Sequence, residues 1–246
     1  MITSSIPYKR FNFPVGEPHA QVTQYGDAYV TWEFESVSEI IELLLLKDAL
    51  HRKGHCITRL VIPYVPFSRQ DRVMISGEPL SIAVMCSLIN SMQAQRVIIT
   101  DPHSDVTPAL LNNCTVIEQH EVFKQYFPIG KPTFLISPDG GALKKIFKLS
   151  QLTHTAVIEC SKIRNTNNGE IIGTYVPPQH IFTHMTCVIV DDICDGGRTF
   201  IELAKILRER GTQHIILMVT HGFFTKGLGV FDGLIDEIYT RKGRVK

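Results

Sequence analysis

Apolar runs of strand length alternate with segments of helix length along the whole chain of 246 residues. This alternation favours parallel sheets whose faces are covered by helices. We therefore predict an α/β protein with two domains of similar size, residues 1–120 and 121–246, each a mainly parallel sheet flanked by helices. The predicted strands are residues 60–63, 96–100, 133–137, 155–160, 188–191 and 214–220.

The composition is that of an ordinary globular protein and narrows the choice of partners. Hydrophobic residues make up 44% of the chain and the formal net charge is +1, so no strong basic field favours nucleic acid or an anionic membrane. The six cysteines are scattered without the spacing of a metal site, which is typical of a reduced compartment. No apolar signal core opens the chain, and no apolar run is long enough to span a bilayer. We expect a cytoplasmic enzyme that binds neither nucleic acid nor membrane.

Residues 188–200, VIVDDICDGGRTF, carry the clearest chemical signal. We expect the strand to end at Asp191 and Asp192 and a glycine turn to lead into a helix, where backbone amides and the helix N-terminus suit a phosphate. Paired carboxylates instead suit vicinal sugar hydroxyls, so a ribose with a 5-phosphate satisfies both parts of the segment. An acidic helix cap with glycine turns is the alternative left open. The candidate ribose-phosphate site comprises Asp191, Asp192, Asp195, Gly196, Gly197, Arg198 and Thr199.

The same segment resembles the loop with which type I phosphoribosyltransferases bind 5-phosphoribosyl diphosphate (PRPP). Seven further motifs resemble those of the ribose-phosphate diphosphokinase family, also called PRPP synthetases, and they follow in family order. The resemblance implies two phosphoribosyltransferase-like domains. The seven motifs are FPVGE at 13–17, IPYVPFSRQDR at 62–72, SGEPLS at 76–81, DPHS at 101–104, SPDGG at 137–141, SKIRN at 161–165 and, after the loop, THGFFTKG at 220–227.

The resemblance also implies roles for individual residues. His103 and Asp139 would hold Mg²⁺, which takes few protein ligands beside phosphate oxygens and water. Lys162 and Arg164, on a catalytic loop, would neutralise charge on the phosphoryl group in transfer. The implied ATP-binding residues are Phe13, Glu17, Arg69, Gln70, Asp71, Arg72 and His103.

The implied reaction is ATP-dependent transfer of a diphosphate group to the C1 hydroxyl of ribose 5-phosphate, giving PRPP and AMP. ATP and a phosphorylated ribose are then the small-molecule partners, and the family resemblance implies a homo-oligomer. Arg198 stands where the family has glycine, which leaves open a 5-substituted acceptor such as ADP-ribose. Val15, Ile163 and Asn165 also depart from the family motifs, and a non-catalytic regulatory homologue is a second alternative.

Overall fold

The computed structural model describes residues 1–164, 171–179 and 182–246. These residues form two compact units, Met1–Ile117 and Glu118–Lys246. The division that we expected from the sequence lies between residues 120 and 121.

The first unit is built on a five-stranded sheet with strand order β1-β4-β5-β6-β7. Strands β4 to β7 are parallel, and β1 pairs with β4 in the antiparallel direction at the edge. Strands β2 and β3 form a separate antiparallel hairpin. The strands are β1 (Ile2–Ser4), β2 (Tyr8–Asn12), β3 (Pro18–Val22), β4 (Ala28–Trp32), β5 (Ile57–Ile62), β6 (Val97–Thr100) and β7 (Cys114–Ile117).

Three helices accompany this sheet: α1 (Glu39–Arg52), α2 (Ser81–Ser91) and α3 (Val106–Leu110). Leu43, Leu46 and Leu50 lie at helical spacing on α1 and are fully buried in one core cluster with strand residues. Burial of this apolar face, rather than local helix propensity, accounts for most of the stability of such a helix.

The second unit contains a six-stranded sheet with strand order β15-β14-β13-β12-β8-β9. All neighbours are parallel except β14 and β15. Strands β10 and β11 form a separate antiparallel ribbon. The strands are β8 (Thr133–Ser137), β9 (Val157–Glu159), β10 (Ser161–Arg164), β11 (Ile171–Tyr175), β12 (Thr186–Cys194), β13 (His214–Gly222), β14 (Glu237–Thr240) and β15 (Gly243–Arg244).

Helices of the second unit pack on both faces of its sheet: α4 (Gln119–Phe123), α5 (Gly140–Thr153) and α6 (Arg198–Glu209). Ile146 and Leu149 of α5 share a core with Val188 and Val190 of β12. Side chains of α6 share a different core with Ile189 of the same strand. Because successive strand residues face opposite sides, β12 is covered on both faces, as in parallel α/β sheets.

The prediction that the central strand ends at Asp191 and Asp192 is wrong. Strand β12 continues to Cys194, with Asp191 opposite Val219 and Cys194 opposite Gly222 of β13. The cause is tertiary, because a partner strand of equal length supplies hydrogen bonds beyond the point where the apolar run stops. Asp192 lies on the α5 face of the sheet with Val190, and Asp191 lies on the other face.

Candidate active site

The glycine turn between β12 and α6 has a conformation that only glycine accommodates well. Gly197, the N-cap residue of α6, has φ of +78°, and a Cβ atom placed there would collide with the Phe231 ring. Glycine also provides no side chain to cap the helix, so the first-turn amides receive no side-chain cap from that residue. A helix N-terminus of this kind is suited to an anion.

The segment after β13 packs against this turn. The Thr225 hydroxyl donates to Asp195 Oδ1 at 2.7 Å, and the Thr225 amide donates to the Asp195 carbonyl at 3.2 Å. The Phe223 amide donates to the Cys194 carbonyl at 2.8 Å. The motif at 220–227 therefore orients Asp195, and both segments stand at the carboxyl ends of neighbouring parallel strands, where open α/β sheets bind ligands.

Arg198 and Thr199 occupy the first turn of α6. Arg198 is mostly exposed, and its Nε donates to Glu202 Oε1 at 2.8 Å, one turn further along the helix. The guanidinium that replaces the family glycine therefore has a carboxylate partner on its own helix.

The paired aspartates stand in unlike environments. Burial, followed by repulsion from Asp192 and Asp139, raises the pKa of Asp191 well above that of an ordinary carboxyl group. Asp192 instead lies near a cation, with its Oδ2 3.6 Å from Lys145 Nζ. Sequence reasoning missed Lys145, although its position in the helix that follows the SPDGG turn was a usable signal.

Asp139 and Lys162, predicted as a metal ligand and a catalytic residue, are in direct contact. Asp139 is the N-cap of α5, and its Oδ1 accepts the amides of Gly141 and Ala142 at 3.0 and 3.2 Å. Its Oδ2 lies 2.5 Å from Lys162 Nζ on β10. Burial opposes ionisation, but the hydrogen bond and charge of Lys162 lower the pKa of Asp139 below the usual value. Arg164 is the last residue of β10, and its side chain lies outside the described residues.

In the first unit, tertiary contacts join the segment at 69–72 to the segment at 101–104. Burial raises the pKa of Asp71, but hydrogen bonds from Ser104 and Arg72 and the charge of His103 outweigh it, and the net pKa is lowered. The Arg72 Nε–Asp71 Oδ1 distance is 3.2 Å, and the Asp71 side chain is only 7% exposed. Arg69, Gln70, Arg72 and His103 are exposed residues of these two segments.

Phe13 and Glu17 lie at the end of the β2–β3 hairpin of the same unit. The Phe13 amide donates to the Glu17 carbonyl at 2.8 Å, and Gly16 between them has φ of +91°. The Phe13 ring meets Phe11 edge to face, with ring centroids 5.3 Å apart, and is 45% exposed. The structure therefore places this motif on a hairpin outside the central sheet.

The two predicted Mg²⁺ ligands lie in different units, His103 in the first and Asp139 in the second. Across residues 1–164, 171–179 and 182–246, no group of three or more His, Cys, Asp or Glu side chains is arranged to hold a metal ion. Within the same described ranges, no helix combines the length and the apolar character needed to cross a membrane.

Two domain families match the chain. The N-terminal domain of ribose phosphate pyrophosphokinase matches residues 21–92, and the phosphoribosyl transferase domain matches residues 121–228. The ribose-phosphate pyrophosphokinase of Thermococcus kodakarensis is 33% identical over 230 residues, which cover 87% of this chain and 77% of that protein. The Pyrococcus abyssi protein of the same name is 30% identical over 224 residues, covering 87% and 76%. The chain belongs to the ribose-phosphate pyrophosphokinase family.

A solved structure supports the fold. The phosphoribosylpyrophosphate synthetase of Mycobacterium smegmatis superposes with a TM-score of 0.83 at 22% identity, covering 96% of this chain and 80% of that one. The predicted fold class, two phosphoribosyltransferase-like domains with mainly parallel sheets flanked by helices, is confirmed.

Gly197→Ala should reduce the free energy of unfolding more than Gly233→Ala does. Both glycines have positive φ, +78° and +73°, but only the Cβ at Gly197 meets Phe231, whereas that at Gly233 meets nothing within 4 Å. Overpacking of this kind costs about 1–3 kcal/mol beyond the shared backbone strain. Urea unfolding of both variants measures the difference, and equal losses would show that the Phe231 ring moves aside.

Asp191→Asn should raise the free energy of unfolding at neutral pH. Because the folded-state pKa is raised, the folded chain holds a proton that the unfolded chain loses above about pH 4. The free energy of unfolding of the unsubstituted protein should therefore fall as pH rises above about 4, and that of Asp191→Asn should fall less. Urea unfolding between pH 4 and pH 8, with exposed Asp48→Asn as the control, tests this; a variant no more stable than the parent at pH 8 would contradict it.

Proposed function

We propose that the protein is a ribose-phosphate pyrophosphokinase. It transfers the diphosphate group of ATP to the C1 hydroxyl of ribose 5-phosphate, giving PRPP and AMP. The supporting observation is identity of 30–33% to ribose-phosphate pyrophosphokinases across about three-quarters of their length, together with the glycine turn between β12 and α6. The two alternatives, ADP-ribose as the acceptor and a regulatory homologue without activity, are not favoured by these comparisons.

The second unit binds the ribose 5-phosphate in this proposal. The amides of Asp195 to Thr199 and the N-terminus of α6 bind the 5-phosphate, since partial positive charge concentrates there. Asp191 and Asp192 accept hydrogen bonds from the ring hydroxyls. Lys145 offsets part of the negative charge of Asp192, which allows two adjacent acids to stand beside a bound anion.

The first unit binds ATP. Arg69, Gln70 and Arg72 provide exposed donors for the polyphosphate, and the largely buried Asp71 accepts from Arg72 and so restricts that guanidinium. Phe13 and Glu17 contribute to adenine binding on the hairpin. The exposed ring of Phe13 offers a surface on which a base can stack.

Lys162 acts on the diphosphate in transfer, with Arg164 as the second cation. The oxygen of the C1 hydroxyl attacks the β-phosphorus, the bond from that phosphorus to the α-phosphate oxygen breaks, AMP leaves, and the hydroxyl proton is released to water. Negative charge spreads over the phosphoryl oxygens in this step, so a nearby ammonium stabilises the transition state. Lys162 now contacts Asp139, and its ammonium exchanges this carboxylate for phosphate oxygens when it acts.

Mg²⁺ is the proposed cofactor, with His103 proposed as a ligand in the first unit and Asp139 proposed as a ligand in the second. The Asp139 carboxylate suits a hard cation, because Mg²⁺ prefers oxygen ligands and the lowered pKa of this carboxyl group keeps it ionised. Bound with ATP, Mg²⁺ would neutralise charge on the polyphosphate. No three-ligand protein cluster exists within the described residues, which is compatible with an ion held largely by phosphate oxygens and water.

We also infer a homo-oligomer in a reducing cytoplasm. The apolar residues Phe11, Phe13 and Val15 are exposed together on the β2–β3 hairpin, as at surfaces that bind a partner. All six cysteines are free thiols, four of them buried. Free thiols are the usual state in a reduced compartment.

The function is tested by measuring AMP release from ATP and Mg²⁺, with ribose 5-phosphate or ADP-ribose as the acceptor and product masses recorded in the same run. We expect AMP and a PRPP mass with ribose 5-phosphate. AMP with ADP-ribose alone would replace the proposed acceptor. No AMP with either acceptor would contradict enzymatic activity of this kind.

Lys162→Met should lower kcat for PRPP formation by about 100-fold or more while changing KM for ribose 5-phosphate much less. The charge is needed in the transition state rather than for sugar binding. Lys148→Met removes a lysine from another carboxylate pair of the same unit, with Glu118 at 2.8 Å, and should leave kcat within about twofold. A fall of kcat that is equal in both variants would argue against a specific role for Lys162.

A further inference from the structure

Lys226 lies along the glycine turn and had no assigned role. A Cβ atom placed at Gly196 would lie 3.4 Å from Cε, 3.5 Å from Cδ and 3.7 Å from Cγ of Lys226. The last three methylene groups therefore pack over Gly196. The ammonium group is one bond beyond Cε, and it therefore lies beside the turn that is the proposed phosphate site.

Contacts on both sides of Lys226 hold its backbone in place. Thr225 donates twice to Asp195, through its hydroxyl at 2.7 Å and its amide at 3.2 Å. The Gly227 amide donates to the Phe224 carbonyl at 2.7 Å, and the Phe224 ring meets Phe231 edge to face. The lysine is therefore presented from a closed turn, which reduces the conformational entropy lost on binding.

The charge balance of the turn calls for such a cation. A phosphate bound by the turn amides would stand near the Asp195 carboxylate, which repels it. Arg198 is the cation nearest in sequence, but its Nε donates to Glu202 and its side chain is 71% exposed. Lys226 is exposed and reaches the turn from the adjacent segment. The motif THGFFTKG carries this lysine between Thr225 and Gly227.

We propose that Lys226 binds the 5-phosphate of the sugar substrate, together with the amides of the turn. This inference rests on the proposed function, because it assigns an additional ligand to the same phosphate. Gly196 then has a second purpose: absence of a side chain lets the lysine stem cross the turn and bring its ammonium to the phosphate oxygens.

The test measures binding rather than turnover. Isothermal titration without ATP gives the affinities of ribose 5-phosphate and of inorganic phosphate, and a separate titration gives the affinity of ATP. Lys226→Met should weaken ribose 5-phosphate and inorganic phosphate by about tenfold each, since hydrogen bonds to charged groups contribute that order of affinity. ATP affinity should not change. Lys226→Arg should restore most of the loss, and Lys205→Met, which removes an exposed lysine from α6, should bind like the unsubstituted protein.

Several outcomes separate this inference from the proposed function. Unchanged affinity of Lys226→Met for both phosphates would overturn the inference, as would an equal loss of ATP affinity. Failure of the unsubstituted protein to bind either phosphate would also overturn it. If phosphate binding depends on Lys226 but no PRPP forms, the inference is supported and the proposed function is overturned. If PRPP forms but phosphate binding does not depend on Lys226, the proposed function is supported and the inference is overturned.

Discussion

The parallel pairing of β12 with β13 is the constraint on which the candidate site depends. This pairing runs from Thr186 opposite His214 to Cys194 opposite Gly222, so both strands end at the same level of the sheet. The turn after β12 and the segment after β13 are thereby brought into contact, and Thr225 bonds to Asp195. Without that pairing, the acidic pair, the glycine turn and Lys226 would have no common location.

Charge in the second unit is arranged as a set of partly neutralised acids. Asp192 lies near Lys145, and Asp139 contacts Lys162, whereas desolvation and the neighbouring acids raise the pKa of the half-buried Asp191. A carboxyl group held in this way costs stability at neutral pH. Such a loss of stability is common at sites that bind a charged ligand, because neighbouring side chains that fully neutralised the acids would compete with that ligand.

Sequence reasoning succeeded where the signal was local. Strand β8 occupies Thr133–Ser137 as predicted, because a short continuous apolar run that ends at the SPDGG turn is typical of a buried strand. It failed at the end of β12, where hydrogen bonds from β13 extend the strand past the apolar run. It also did not predict the β2–β3 hairpin or the antiparallel edge strand β1, because these strands have three to five residues and weak alternation. Lys145 and Lys226 were missed because each acts across a contact between distant segments.

The sequence by itself determined the alternation of the main strands and helices, the family and the kinds of residues available for chemistry, because apolar periodicity and turn residues act over short distances. Tertiary structure alone decided that Asp191 and Asp192 take opposite faces of the sheet, since strand length beyond the apolar run depends on the partner strand. It also decided that Lys162 contacts Asp139 and that Lys226 crosses Gly196. Such pairings follow from the three-dimensional packing of strands and helices, and no local pattern encodes them.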